Sequence, residues 1–242
     1  MSLPNSSPLG SRSGADRKPL LCYVTDRHSL QAAPQKTSID MLLGKIELIS
    51  AAGVDWIQLR EKDLSGRSSA SLVREALRHV SNEAGNAPAD VRVLVNDRLD
   101  VAIAEQAGGV HLGESSLPVE DAKRLLAASR AEQIPSRDFI LGISCHSLEA
   151  AQSAASAGAD YIFFGPIFPT PSKAAYGAPQ GLDRLAEVCA SVTIPVLAIG
   201  GITAENASTC FSAGAAGIAA IRLFQDSADP RSIVRALRQL PF

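Results

Sequence analysis

From Leu20 onward, short apolar runs alternate with longer stretches in which apolar residues recur every three or four positions, with a repeat of about 25 to 30 residues. The apolar runs are predicted strands at Leu20–Thr25, Asp55–Arg60, Arg92–Val95, Gly109–Leu112, Phe139–Ile143, Tyr161–Phe164, Val196–Ile199 and Gly217–Ile221. The intervening segments, predicted as helices, are Ser38–Ala52, Arg67–Asn82, Arg98–Gln106, Val119–Ser129, Leu148–Ala157, Leu182–Ala190, Ala204–Ser212 and Pro230–Gln239, each able to turn an apolar stripe to a sheet. Eight such pairs close naturally into a (β/α)8 barrel, a TIM barrel of the α/β class. The phrases Ala52-Gly53-Val54-Asp55, Ala107-Gly108-Gly109-Val110, Ala157-Gly158-Ala159-Asp160 and Ala213-Gly214-Ala215-Ala216-Gly217 stand just before strands, as helix C-cap glycines leading into tight αβ turns. The competing architecture is an open doubly wound sheet. It would carry a glycine-rich fingerprint after its first strand, where this chain has Asp26-Arg27-His28.

The length of 242 residues suits one barrel, and an apolar fraction of 46% with only 5% aromatics suits an aliphatic core. Residues 1–18 are rich in Ser, Gly, Pro and Asn and read as a disordered tail, leaving 19–242 for the barrel. That tail lacks the apolar centre of a signal peptide, and no stretch reaches the roughly 20 apolar residues of a membrane span. A cytoplasmic protein is expected, and a homo-oligomer is compatible with it. A net charge of -2 offers no basic field to nucleic acid or anionic lipid. The four cysteines lie far apart, without a Cys-x-x-Cys pair for zinc or redox work, and read as buried free thiols. Two loops are conspicuous, Gly85 to Asp90 and Phe168 to Gly181, and the second is long enough to be a lid.

In a barrel of this kind the chemistry belongs at the C-terminal ends of the strands. After strand two, alternation sends Gln58 and Arg60 to one side with Lys62 beyond, which suits a phosphate or diphosphate ligand or merely solvates a strand end. After strand three, Asn96 and Asp97 could orient a ligand, hold a hard cation through oxygen, or cap the next helix. His111 reads as an ordinary packed or hydrogen-bonded histidine, and Ser116 as a cap for the helix beginning near Pro118. Strand five brings Ser144, Cys145 and His146 to the rim. His146 is either a general acid or base or a solvent-facing histidine at a helix start. A Cys145/His146 nucleophile pair is disfavoured because adjacent side chains rarely face each other. Thr170, Ser172 and Lys173 form a possible anion clamp. The glycines Gly200 and Gly201, with Ile221 and Arg222 after strand eight, match the common phosphate site of such barrels.

Together these phrases resemble the thiamine phosphate synthase family and its close relative, the thiazole tautomerase. The resemblance runs from about Tyr23 to Phe224. It is carried by Gln58-Leu59-Arg60-Glu61-Lys62, Asn96-Asp97-Arg98, Gly109-Val110-His111-Leu112-Gly113, Gly165-Pro166-Ile167-Phe168-Pro169-Thr170, Ala178-Pro179-Gln180-Gly181-Leu182 and Ala198-Ile199-Gly200-Gly201-Ile202. It implies a magnesium-assisted transferase that joins 4-amino-2-methyl-5-hydroxymethylpyrimidine diphosphate to hydroxyethylthiazole phosphate and releases pyrophosphate. By the same resemblance Gln58, Arg60, Lys62 and Asn96 would hold the pyrimidine diphosphate, Asp97 would bind Mg2+, and Ser144 would lie near the reacting centre. Thr170, Ser172 and Lys173 would contact phosphate, as would Gly200, Gly201, Ile221 and Arg222.

The chain departs from the family pattern in three places. Gly113-Glu114-Ser115-Ser116 replaces Gly-Gln-x-Asp, so Ser116 stands where a second magnesium carboxylate is usual, which weakens the metal site unless Glu114 reaches round. Thr170-Pro171-Ser172-Lys173 keeps the hydroxyls of the usual Thr-x-Thr-Lys, and Arg222 replaces a small hydroxyl residue. Cys145-His146-Ser147-Leu148-Glu149 and the serine-rich Glu114-Ser115-Ser116 lean towards the tautomerase, with His146 as its acid/base. A non-catalytic phosphate-binding barrel is the third alternative.

Overall fold

A computed structural model describes residues 18–31, 35–82, 91–130, 139–170 and 178–242. Within it run β1 (Leu20–Val24), a 3-10 turn (Arg27–Ser29), α1 (Ser38–Ala52), β2 (Trp56–Leu59), α2 (Gly66–Asn82), β3 (Arg92–Asn96), α3 (Leu99–Ala104) and β4 (Gly109–Leu112). There follow α4 (Val119–Arg130), β5 (Ile140–Cys145), α5 (Leu148–Ser156), β6 (Tyr161–Phe164), α6 (Gly181–Ser191), β7 (Val196–Ile199), α7 (Ala207–Ser212), β8 (Gly217–Ala220), α8 (Arg222–Gln225) and α9 (Pro230–Arg238). Each strand pairs in parallel with the next, and β8 returns to β1 through Leu20↔Gly217 and Cys22↔Ala219. That closure excludes the open doubly wound sheet. The tail, apart from Lys18, lies outside the described residues, as do all of Gly85 to Asp90 and the centre of Phe168 to Gly181.

Two apolar layers follow from the period-two alternation of the strands. Cys22, Trp56, Leu94, Ile140, Tyr161, Phe163, Leu197 and Ala219 fill the barrel, whereas Leu21, Ile57, Val93, Leu141, Ile162 and Ile218 meet the helices. Near-continuous apolar strands are what a parallel sheet covered by helices requires, since both faces are buried. Each fully buried Leu or Ile contributes roughly 1.5–3 kcal/mol of burial free energy, and that drive closes the barrel.

Three of the four expected αβ-turn glycines adopt left-handed backbone: Gly53, Gly158 and Gly214, with φ of 94°, 89° and 93°. The second expected turn, at Ala107-Gly108, is built differently. Gln106 takes the positive φ of 55°, and Gly108 is needed because a Cβ there would collide with Cγ of Arg92. At the N-terminal mouth Asp55 Oδ2 accepts from Leu21 N and from Arg238 Nη2, both at 2.7 Å, tying β1 and β2 to the last helix.

Two boundaries matter for function. β5 extends to Cys145 rather than Ile143, so Ser144 is a strand residue whose side is fixed by the pleat. The four-residue α8 was not expected, being too short to show a helical period. Cys22, Cys145 and Cys210 are buried free thiols, while Cys189 is half-buried. Among the described residues no helix is long and apolar enough to cross a membrane.

Candidate active site

The candidate residues that lie in the described chain converge on the C-terminal rim, and across β2 to β4 they form one hydrogen-bonded chain. Gln58, 2% exposed, donates from Nε2 to Asn96 Oδ1 at 2.9 Å, and Asn96 Nδ2 donates to Asp97 Oδ2 at 2.8 Å. Asp97 Oδ1 accepts from Gly113 N at 3.1 Å and from the Ser116 hydroxyl, whose oxygen in turn accepts from Gly113 N at 2.9 Å. Asp97 holds φ of 61°, an uncommon backbone for a residue with a Cβ, and this turns its carboxylate towards the loop after β4. The capping uses expected for Asn96 and Asp97 do not occur: Arg98 is the N-cap of α3 and no side chain caps it.

Arg60 and Lys62 line a recess with Asp26, His28, Glu61 and Asp63. Neither cation makes an ion pair among the described residues. The adjacent carboxylates are engaged elsewhere. Glu61 Oε2 takes 2.8 Å from Arg27 Nη1, and its Oε1 accepts from Thr25 Oγ1 at 2.7 Å. Arg27 also forks onto Asp63 and holds that carboxyl well below the usual range. Arg27 is thus shared between Glu61 and Asp63, and neither carboxylate pairs with Arg60 or Lys62. Sequence reading missed this arrangement, although alternation does place Glu61 on the opposite side of the chain from Arg60.

Beneath the rim lies a buried polar group whose pairing the sequence reading did not name. His111 Nδ1 sits 3.0 Å from Tyr161 Oη, and Nε2 sits 2.9 Å from Ser144 Oγ. Phe163 covers the imidazole at 4.2 Å between ring centroids. Burial pushes the His111 pKa down to about 3; Asp97 opposes that shift and Arg60 adds to it, so the ring is neutral near pH 7. The expectation of an ordinary packed or hydrogen-bonded histidine holds, the ring being both packed and hydrogen-bonded.

His146 sits half-exposed at the rim, its Nδ1 3.1 Å from Glu114 Oε1, which also accepts from His146 N at 2.8 Å. Glu114 is thereby committed to the β5 end and does not supply Asp97 with a second carboxylate. Cys145 points the other way into the helix-facing core, its thiol pushed up to about 12 by burial, so it does not pair with His146 as a nucleophile.

Across β6 to β8 the rim is built from backbone. Gly200 and Gly201 have φ of 95° and 67°. A Cβ at Gly200 would lie 2.5 Å from Pro166 Cβ, and one at Gly201 would lie 2.7 Å from both Phe168 Cβ and Pro169 O. Phe168 N donates to Gly200 O at 3.0 Å, and Asn206 Nδ2 to Gly201 O at 2.9 Å, so the carbonyls of this turn are pinned. Ile221 continues the inner layer beside Ile199, and Arg222 stands exposed at the start of α8. Thr170 is half-buried after β6, whereas Ser172 and Lys173 lie outside the described residues.

Residues 21–224 match the family model described as thiamine monophosphate synthase. A thiamine-phosphate synthase of Roseiflexus castenholzii is 38% identical over 235 residues, covering 97% of this chain and 91% of that protein. One from Methanoculleus marisnigri is 42% identical over 191 residues, 79% of this chain and 83% of its own. Among solved structures, a thiamine phosphate pyrophosphorylase from Pyrococcus furiosus superposes with a TM-score of 0.73 at 31% identity, over 93% of this chain and 96% of its own.

Proposed function

The chain belongs to the thiamine monophosphate synthase family and is a transferase of that type, and from this premise we propose how its rim divides the work. Its two substrates are each anionic, a pyrimidine diphosphate and a thiazole phosphate, and the rim offers two unlike places for phosphate. The side-chain half takes the diphosphate, with Arg60 and Lys62 as its cations and Gln58 and Asn96 orienting the pyrimidine. The glycine half takes the thiazole phosphate on the backbone of Gly200, Gly201 and the Ile221–Arg222 turn, with Arg222 as an exposed cation. Thr170, after β6, adds a hydroxyl for phosphate, and the family resemblance adds Ser172 and Lys173, which lie outside the described residues.

A Mg2+ ion fits this donor set in a particular way. Among the described residues no three acidic, histidine or cysteine groups are placed to hold a metal ion by themselves, so at this part of the rim the protein offers one carboxylate, Asp97, with the Ser116 hydroxyl beside it. Asp97 and Ser116 would hold such an ion from the protein side, leaving room for the phosphate and water oxygens that magnesium favours. When bound it supplies charge neutralisation for a departing pyrophosphate. Arg60 and Lys62 supply the same kind of stabilisation from fixed positions, while Gln58 and Asn96 hold the pyrimidine methylene facing the thiazole nitrogen. Ser144 sits on the inward side of β5, close beneath that centre. The four free thiols suit a cytoplasmic setting.

The observation that carries this reading is the chain from Gln58 through Asn96 and Asp97 to Ser116, together with two rim cations that form no ion pair among the described residues. Supplying both substrates with magnesium is expected to release pyrophosphate, and chelation to suppress that release. No release at saturating magnesium overturns the proposal.

A further inference from the structure

We infer that His111 is a positioning residue that donates its Nε2–H to Ser144 Oγ, so that the serine hydroxyl turns its own hydrogen into the site. The directionality follows from Tyr161. That side chain is wholly buried, and among the described residues its hydroxyl has one hydrogen-bond partner, His111 Nδ1 at 3.0 Å. A buried O–H left without an acceptor is costly, so the tyrosine hydrogen goes to Nδ1. A neutral imidazole with a lone pair on Nδ1 carries its hydrogen on Nε2. Nε2 lies 2.9 Å from Ser144 Oγ, which makes no other hydrogen bond among the described residues. The opposite tautomer would leave the tyrosine hydrogen unpaired in the core and commit the serine hydrogen to the imidazole.

The packing is built around this line of donors. Gly142 lies between Ile140 and Ser144 on the inward side of β5, and a Cβ there would fall inside the Tyr161 ring. The missing side chain gives that ring its place beneath His111. Phe163 at 4.2 Å between centroids keeps the imidazole plane from turning. Tyr161, His111 and Ser144 thus form a one-way relay of hydrogen bonds ending at the rim, where a hydroxyl hydrogen meets an anion. Resting on the transferase reading above, the acceptor is an oxygen of the departing pyrophosphate; no proton needs to be transferred.

The full chain with 15N-labelled histidine, examined at pH 7 by long-range 1H–15N correlation, tests the tautomer without using activity. One histidine is expected with a bare Nδ1 and a protonated Nε2, and its signals should vanish in His111→Asn. Tyr161→Phe, which keeps the ring and removes the donor, should move that pattern towards the other tautomer and covers the case in which His111→Asn does not fold. A wild-type His111 protonated on Nδ1 overturns the inference. For function, Ser144→Ala should lower kcat about tenfold with little change in KM, the worth of about one charge-assisted hydrogen bond. Adding His111→Asn to Ser144→Ala should cost less than about twofold more. Independent, multiplying losses would show that His111 does not act through Ser144. Failure of the wild type to release pyrophosphate would instead remove the transferase reading and leave the tautomer result standing.

Discussion

From Gln58 to Ser116 the rim is a run of side-chain hydrogen bonds at 2.8 to 3.1 Å, closed by the Ser116 hydroxyl on Asp97, whereas from Pro166 to Gly201 backbone lies against backbone with no room for a Cβ. Both halves stand at the C-terminal rim of the barrel and both are suited to phosphate. They should respond to change in opposite ways. A polar side chain replaced in the first half leaves the strands and helices beneath it packed, so chemistry is lost before stability. A side chain added in the second half forces apart two loops, so stability is lost first and binding with it.

The largest effect we expect comes from that second half. Gly201→Val combines a φ of 67° with a Cβ 2.7 Å from Phe168 Cβ and Pro169 O, and should cost about 3–5 kcal/mol in urea unfolding. In the first half, Asp97→Asn keeps shape and tolerates positive φ but removes the one rim carboxylate beside Ser116. It should lower kcat/KM about a hundredfold, with the urea midpoint showing a loss of about 1 kcal/mol or less. Arg60→Lys keeps the charge but loses the two-pronged geometry, and should raise KM for the diphosphate about tenfold in steady-state kinetics. Smallest is Ser116→Asp. A second carboxylate against Asp97 should lower the magnesium concentration for half-maximal rate about threefold. In chelator the same variant should be less stable than the wild type, because two like charges then face each other without a cation. A Gly201→Val protein of wild-type stability, or an Asp97→Asn protein that loses stability before activity, would erase the contrast between the halves.

The barrel was legible because its cause is repetitive: eight apolar runs, helical stripes between them, and glycines at the αβ turns. The rim residues were legible because strand alternation is strict, and Gln58 and Asn96 fall on the inward side where period two puts them. What escaped was set by contacts across strands. Arg27 lies in the Asp26-Arg27-His28 segment after the first strand, yet it pairs with both Glu61 and Asp63, so that neither pairs with Arg60 or Lys62. Glu114 was a candidate to replace the missing carboxylate, but it turns to His146. His111 was read as a packed or hydrogen-bonded histidine, but nothing in its own neighbourhood of sequence names its partners Tyr161, 50 positions away, and Ser144, 33 away. Capping by Asn96 or Asp97 failed because the positive φ of Asp97 turns the carboxylate to Gly113 instead.

The division of labour between the halves is tested most directly by calorimetric titration of each substrate separately into the wild type and Arg60→Ala, with magnesium present. We expect the variant to bind the pyrimidine diphosphate more than about tenfold more weakly and to bind the thiazole phosphate within about twofold of the wild type. Equal weakening of both ligands, or a loss confined to the thiazole phosphate, would contradict the assignment of the side-chain half to the diphosphate.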